Sequence, residues 1–467
     1  MKLRFERVNP CGGCGEPCSD GHRCDPARAK LRRYSGLRFT SDGFDCALPV
    51  TIDSHSHCAY GCLYCFSDNL MGHREQTTKP LGQASLRQVE LLFAGEGGKH
   101  FDQLRNGLRY DRRNEAGYPC AIQLGAINDP CDHIERQQGW LLEFIKLAVK
   151  YRQPVRISTK GTVFHIKEYL DAVAQAPELF WVAFSIITPD DEVIERIDRR
   201  APNTTGRIKA MRMLSDVGVK TALRFRPILP GISDATKAYP KAYRTLIEQA
   251  AGAGAVACSY EVGFVPGGMT KELRARWNVL SRVAGVPFEK LYRGFGSNQA
   301  CMRPPHTWTE NIMHAIRDVC HEHNMDVGVS DPLWKQLTDT GCCCGMMPDD
   351  PVFGNWEVES ATNQLLLAKE TGKILGPDDV IPDWARTRRS TGICNPGAGP
   401  LKAWITRHEM WADKIRNVWN NPSKQRSPLN YFQGALQPIE RQENGDVYYK
   451  YVGLERQYPE HVPYWKV

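Results

Sequence analysis

Strand-like and helix-like signals alternate from residue 47 to residue 264, and this alternation restricts the available folds more than any other feature of the chain. Ala47–Asp53, Cys120–Ala126, Val155–Ser158, Leu179–Ile187, Lys220–Ile228 and Val256–Phe264 are short apolar runs rich in β-branched and aromatic residues, the pattern of buried strands. Glu135–Tyr151, Phe164–Ala174, Thr205–Val217 and Tyr239–Ala251 place apolar residues at helical spacing between them. Gly218 ends one helix, and Pro230-Gly231 stops one strand. Strands separated by helices must pair in parallel, because the helix carries the chain back across the sheet. Six such units predict an α/β fold, a partial (β/α)6 TIM-like barrel. In barrels of this kind the chemistry lies at the C-terminal ends of the strands.

The flanks read differently. Residues 1–45 are rich in Cys, Gly and Arg with little periodicity, which predicts a metal-binding extension. Residues 46–270 hold the barrel. From 271 to 350 the α/β pattern continues, with a helix over Trp308–His323, a strand over Asp326–Ser330 and a tight turn at Gly341-Cys-Cys-Cys-Gly345. Residues 351–467 form a basic, aromatic C-terminal region. From Ile381 onward there are 13 Lys+Arg against 8 Asp+Glu, so +5 of the net +7 lies there together with twelve aromatic residues. These include Trp384, Trp404, Trp411, Trp419, Tyr448, Tyr449 and Tyr451. Core packing is their ordinary role; stacking on unpaired bases beside phosphate-binding Lys and Arg is the functional alternative.

The loop just past the first strand, His57-Cys-Ala-Tyr-Gly-Cys-Leu-Tyr-Cys-Phe66, holds Cys58, Cys62 and Cys65 in C-x3-C-x2-C spacing. Three thiolates can ligate three irons of a [4Fe–4S] cluster, which needs four to be closed. The open iron suits a chelating amine and carboxylate, the amino-acid end of S-adenosylmethionine. Tyr60, Tyr64 and Phe66 stand where they can shield such a cluster. Zinc is the competing reading, with His55 or His57 as a fourth ligand.

The chain has 17 cysteines, and no run of about 18 apolar residues or signal-peptide pattern. A cytoplasmic protein with no membrane span is therefore expected, in which clustered thiols serve metals rather than disulfides. Cys11, Cys14, Cys18 and Cys24 form C-x2-C-x3-C-x5-C, able to wrap an auxiliary Fe–S cluster or a structural zinc. Two of Cys342, Cys343 and Cys344 can join Cys301, Cys320 or Cys394 as cluster ligands, one can act as a hydrogen donor or covalent handle, or all can be small buried residues of a turn. Cys46 and Cys258 read as core. Glu135 at a helix start complements the helix dipole. Arg224 and Arg226 point to one side of their strand, either presenting charge at the barrel mouth or closing an internal ion pair.

The triplet resembles the radical S-adenosylmethionine superfamily. Residues from about 45 to 235 resemble its spore photoproduct lyase-like, or DNA repair photolyase-like, branch. The resemblance is carried by Asn128-Asp-Pro-Cys-Asp-His-Ile-Glu135, Ile157-Ser-Thr-Lys-Gly161, Phe184-Ser-Ile-Ile-Thr-Pro-Asp190, Arg199-Arg-Ala-Pro202, Arg207 and Arg226-Pro-Ile-Leu-Pro-Gly231, in the family's order. It implies that Cys58, Cys62 and Cys65 bind the cluster, that Lys160 contacts the carboxylate of S-adenosylmethionine, and that Ser185 contacts its ribose or amino-acid part. Asn128 falls where the family has a small polar side chain near the cofactor. An electron donor such as flavodoxin or ferredoxin is implied as well. One position departs: the lyases return hydrogen from a cysteine at the end of the second strand, and here that place holds Ala126.

The resemblance implies a radical enzyme of lyase or isomerase type. It would abstract hydrogen from a nucleobase derivative, a modified thymine in DNA, for isomerisation, rearrangement, hypermodification or repair. The alternative enzyme is a peptide- or protein-modifying one with auxiliary clusters, and the non-enzymatic alternative a zinc-binding nucleic-acid module.

Overall fold

A computed structural model describes residues 32–34, 36–39, 45–48, 50–65, 81–97, 113–266, 271–292, 301–354, 360–381, 385–386, 410–424 and 426–453. Cys11, Cys14, Cys18 and Cys24 lie outside these residues, as do Phe66, Trp384, Cys394 and Trp404.

The barrel runs β1 Val50–Ile52, α1 Leu86–Phe93, β2 Ile122–Leu124, α2 Trp140–Tyr151, β3 Val155–Thr159, α3 Lys167–Ala174 and β4 Phe180–Ser185. It continues with α4 Thr204–Asp216, β5 Lys220–Ile228, α5 Ala242–Gly252, β6 Ala255–Val262, α6 His306–Glu322 and β7 Asp326–Val329. Each strand from β1 to β7 pairs in parallel with the next, and Leu37–Phe39 closes the β1 edge as an antiparallel strand. The six expected units are present, and the strand expected at Asp326–Ser330 adds a seventh to the same sheet. This is a partial TIM-like barrel. All residues of β3 and β4 are buried, as a parallel sheet between a helical layer and a filled interior requires.

Two differences from the sequence pattern have local causes. Strands β1 and β2 are shorter than their apolar runs because the residues past their ends turn into a polar loop network. The expected helix Glu135–Tyr151 breaks at Gly139, whose φ of 63° belongs to the left-handed region. That break lets the buried Glu135 carboxylate accept from Leu141 N at 2.8 Å and Leu142 N at 3.4 Å, so it caps the helix that follows.

The C-terminal part contributes α7 Ala361–Thr371, α8 Trp411–Trp419 and the hairpin β8 Leu436–Arg441 with β9 Val447–Tyr451. Trp411, Trp419, Tyr431 and Tyr449 are buried. Trp419 and Tyr449 meet edge-to-face at 5.3 Å. These rings pack a core and offer no stacking face. Tyr431 Oη donates to Asp45 Oδ2 at 2.8 Å, and Lys335 Nζ reaches the same oxygen at 2.6 Å. One buried carboxylate thereby joins the lead-in, the barrel end and the C-terminal region. Cys258 and Cys320 are fully buried core residues. Among the described residues no helix is long and apolar enough to cross a membrane.

Candidate active site

Four loops meet beyond the C-terminal ends of β1 to β4, and buried carboxylates fix them to one another. Asp53, just past β1, accepts from three successive amides after β2: Ala126 N at 2.9 Å, Ile127 N at 2.8 Å and Asn128 N at 3.4 Å. The Asn128 carboxamide is held in turn, donating to Asp53 Oδ1 at 3.1 Å and accepting from Ser54 Oγ at 2.8 Å and His55 N at 3.0 Å. Asp129 accepts from Thr159 Oγ1 at 2.7 Å and from Lys160 N at 2.6 Å, which ties the β2 loop to the end of β3. Asp132 accepts from Ala59 N at 2.7 Å and ties the same loop to the cysteine segment. Its carboxyl is pushed up to about 7 by burial, which outweighs the backbone donors Ala59, Ile134 and Glu135.

The cysteine loop is pinned at both ends. Tyr60 Oη donates to Cys131 O at 2.8 Å, and Leu63 N donates to Ile197 O at 2.9 Å. Gly161 permits the approach: a Cβ there would fall 2.3 Å from Cys131 O and 2.6 Å from Tyr60 Oη. Cys58 and Cys65 remain partly exposed, and Cys62 is buried. Burial pushes the Cys58 thiol well up, with Asp132, Asp129, Cys62 and Cys65 adding to the effect. Burial and then Asp198 do the same for Cys62. Three thiols in one short loop, two of them accessible, are a donor set that fits an iron–sulfur cluster. Among the described residues no group of three or more His, Cys, Asp or Glu closes on a single metal ion. Ser54 and Gln83 hold His55, while Ser56 contacts His57.

Lys160, past β3, points its ammonium at Tyr64 Oη (2.6 Å) and Asp198 Oδ2 (3.2 Å). Asp198 is fully buried and also accepts from Arg207 Nη2 at 2.6 Å. Burial alone would raise this carboxyl; Lys160 and then Arg207 overcome it and hold Asp198 well below the usual carboxylate range. Arg207 also donates to Ser185 O at 2.7 Å and Pro202 O at 2.8 Å, so it secures the end of β4. Ser185 Oγ receives a 3.1 Å hydrogen bond from Arg224 Nη1. The structure thus gathers Cys58, Cys62, Cys65, Asn128, Lys160 and Ser185 around one end of the barrel.

Residues 124–238 match the model of the Radical SAM superfamily. This segment is a radical SAM domain. The chain is similar to solved spore photoproduct lyases. One, complexed with dinucleoside spore photoproduct, is 17% identical, covers 64% of this chain and 80% of its own, and has a TM-score of 0.45. A lyase variant with bound AdoMet and the same dinucleoside is 16% identical over 62% of this chain and 78% of its own, with a TM-score of 0.44. A radical S-adenosylmethionine methyltransferase from Kitasatospora setae is 14% identical over 45% of this chain and 35% of its own, at a TM-score of 0.31. No curated protein matches. The radical SAM model begins at residue 124, so the cysteine triplet precedes the matched segment and joins it through Asp53, Asp129 and Asp132.

Asp53, Asp132 and Asp198 have no role that the chain by itself assigns, and only the buried donors around them show it. The Cys342–Gly345 turn was also undecided. It lies against the inner face of β7, where a Cβ on Gly328 would fall 2.7 Å from Gly345 N. Cys343 O accepts from Ser259 Oγ at 2.5 Å and from Arg226 Nη2 at 3.0 Å.

Proposed function

We propose that this chain is a radical S-adenosylmethionine enzyme acting on a nucleobase derivative, a modified thymine in DNA, in an isomerisation, rearrangement, hypermodification or repair. The observation that carries the class is the meeting of Cys58, Cys62 and Cys65 with Lys160 at the catalytic end of a radical SAM domain. Held there, a [4Fe–4S] cluster and S-adenosylmethionine would supply the electron and the radical needed for hydrogen abstraction.

The protein's own residues position and exclude. Cys58, Cys62 and Cys65 would ligate the cluster, leaving one iron for the amine and carboxylate of S-adenosylmethionine. Lys160 would face that carboxylate, its ammonium positioned by Asp198. Asn128 and Ser185, both buried, would contact the rest of the cofactor. Tyr60 lies near Cys58 and Tyr64 near Cys62, and both rings are buried, so they would shield one side of a bound cluster. Ala126 carries no transferable hydrogen where the related lyases have a thiol, which favours an outcome other than crosslink reversal. The nucleobase assignment draws support from the ordered motifs between Asn128 and Gly231 and from the basic C-terminal region.

Anaerobic reconstitution with iron, sulfide and a reductant tests this reading. The expected result is S-adenosylmethionine cleavage to 5′-deoxyadenosine, together with a mass or retention change in nucleosides released from modified-thymine DNA. Zinc in place of iron, or cleavage that survives replacement of all three cysteines by alanine, would overturn the class. Cleavage with no change in any nucleoside would overturn the substrate.

A further inference from the structure

Three arginines from two strands share the barrel interior, and among the described residues Glu261 is the one carboxylate that pairs with any of them. Residues of β3, β5 and β6 that point inward alternate with those packed under the helices, which brings Arg156, Arg224, Arg226, Ser259 and Glu261 to one face. Arg156 is 2% exposed. Its Nη1 is satisfied by Gln123 Oε1 at 2.8 Å and by Ser158 Oγ, while its buried Nε and Nη2 have no acceptor among the described residues. Arg224 donates Nη1 to Ser185 Oγ, and its buried Nε likewise has no acceptor among the described residues. Arg226 donates Nη2 to Ser259 Oγ at 2.6 Å and to Cys343 O at 3.0 Å, and its buried Nε is unmatched among the same residues.

Charge compensation is equally incomplete. Glu261 approaches Arg226 at 3.7 Å, and among the described residues neither Arg156 nor Arg224 forms a salt bridge. The ion pair that sequence left open for both strand arginines therefore exists in weak form for one. Arg224 shows the consequence: burial, then Arg226, then Arg156 push it down to about 9. A fold that buries like charges this way gains nothing in stability from them. Guanidinium forks with unmatched donors are suited to a planar or tetrahedral oxyanion. The contact of Arg224 with Ser185 puts such a group next to the proposed cofactor site.

We propose that Arg156, Arg224 and Arg226 form an oxyanion subsite inside the barrel that anchors an anionic group of the substrate, a carboxylate or a phosphate. The Cys342–Gly345 turn forms its floor: Cys343 O holds Arg226, and the Cys344 thiol lies close enough to feel Arg156, Arg224 and Arg226. That the anion belongs to a nucleoside rests on the function proposed above; the site itself does not.

Calorimetric titration of the full-length, reconstituted protein with thymidine, thymidine 5′-monophosphate and 5-carboxy-2′-deoxyuridine tests it. At least one anionic probe is expected to bind roughly 10–100-fold more tightly than thymidine, the gain of one or two charge-assisted contacts. Preference for the carboxylate assigns the site to an acidic base substituent, and preference for the phosphate to the nucleotide backbone. Arg224→Met and Arg156→Met are each expected to abolish the preference, and Arg224→Lys to reduce it. The surface variant Arg244→Met is expected to leave it intact. Because Arg224→Met removes a buried charge lacking a carboxylate, the ligand-free protein is expected to melt at the same or a higher temperature. Equal affinity for all three probes, or a preference that survives both methionine variants, would overturn the proposal. So would a lower melting temperature for Arg224→Met with unchanged anion preference. None of these readouts requires turnover, so a failure of S-adenosylmethionine cleavage leaves the subsite test standing.

Discussion

Lys160 Nζ lies 3.2 Å from Asp198 Oδ2, the same oxygen that Arg207 Nη2 approaches at 2.6 Å. One carboxylate thus serves a fully buried arginine that locks β4 and a lysine, 13% exposed, at the barrel mouth. Removing the carboxylate leaves a buried guanidinium without its counter-charge, which typically costs about 3–5 kcal/mol. Asp198→Asn is therefore expected to lower the urea midpoint strongly, while Lys160→Met, which leaves the Arg207 pair in place, costs far less.

The same pair has a defined pH dependence. Its folded-state carboxyl is depressed relative to the unfolded chain, so its stabilisation is complete above the unfolded value of about 4. It fades as pH falls through the lower folded value. The stability difference between wild type and Asp198→Asn is expected to be level from neutrality to about pH 5 and to shrink at strongly acid pH. A difference that grows on acidification would contradict this assignment, and urea midpoints at several pH values measure it.

Each of Cys58→Ala, Cys62→Ala and Cys65→Ala is expected to lose the iron and sulfide of the site and to reduce 5′-deoxyadenosine formation to background. Metal analysis and visible absorbance after anaerobic reconstitution check the first part, and product chromatography checks the second. Treating the wild-type protein with an iron chelator is expected to give the same phenotype.

Gly161→Ala forces a methyl group to within 2.3 Å of Cys131 O and 2.5 Å of Cys131 Cβ. Backbone rather than a flexible side chain must yield, so the expected cost is about 2–3 kcal/mol. Because Cys131 O also accepts from Tyr60, the variant should retain iron poorly at a denaturant concentration where it is still folded. Parallel measurement of far-UV circular dichroism and iron content separates the two effects.

Ala126 is partly exposed and its backbone amide is held by Asp53, so a thiol can be placed there with little strain. Ala126→Cys is expected to change stability by less than about 1 kcal/mol. It is also expected to raise deuterium incorporation from D2O into product or recovered substrate, because a thiol exchanges its hydrogen with solvent. Mass spectrometry of the nucleosides reads the outcome.

The barrel was legible in the chain because its determinants are local. A run such as Phe180–Ser185 can be buried on both faces only in a parallel sheet, and Gly218 ends a helix wherever it occurs. The cysteine triplet was legible for the same reason: ligands within one short loop meet whatever the rest of the fold does. The seventh strand was visible as a strand, yet its place beside β6 depends on α6 spanning the distance between them. Local pattern does not encode that partner.

The chain by itself determined the alternation that builds the barrel and the loop that brings three thiols together, since both follow from residues close in sequence. Tertiary structure alone decided which polar groups are buried beside which. Asp198 meets Lys160 across 38 residues, Asp53 meets the amides after β2 across more than 70, and Arg226 meets the Cys343 carbonyl across 117. Burial turns these ordinary charged residues into site organisers, because inside the barrel water no longer screens a charge and an unmatched polar group is costly.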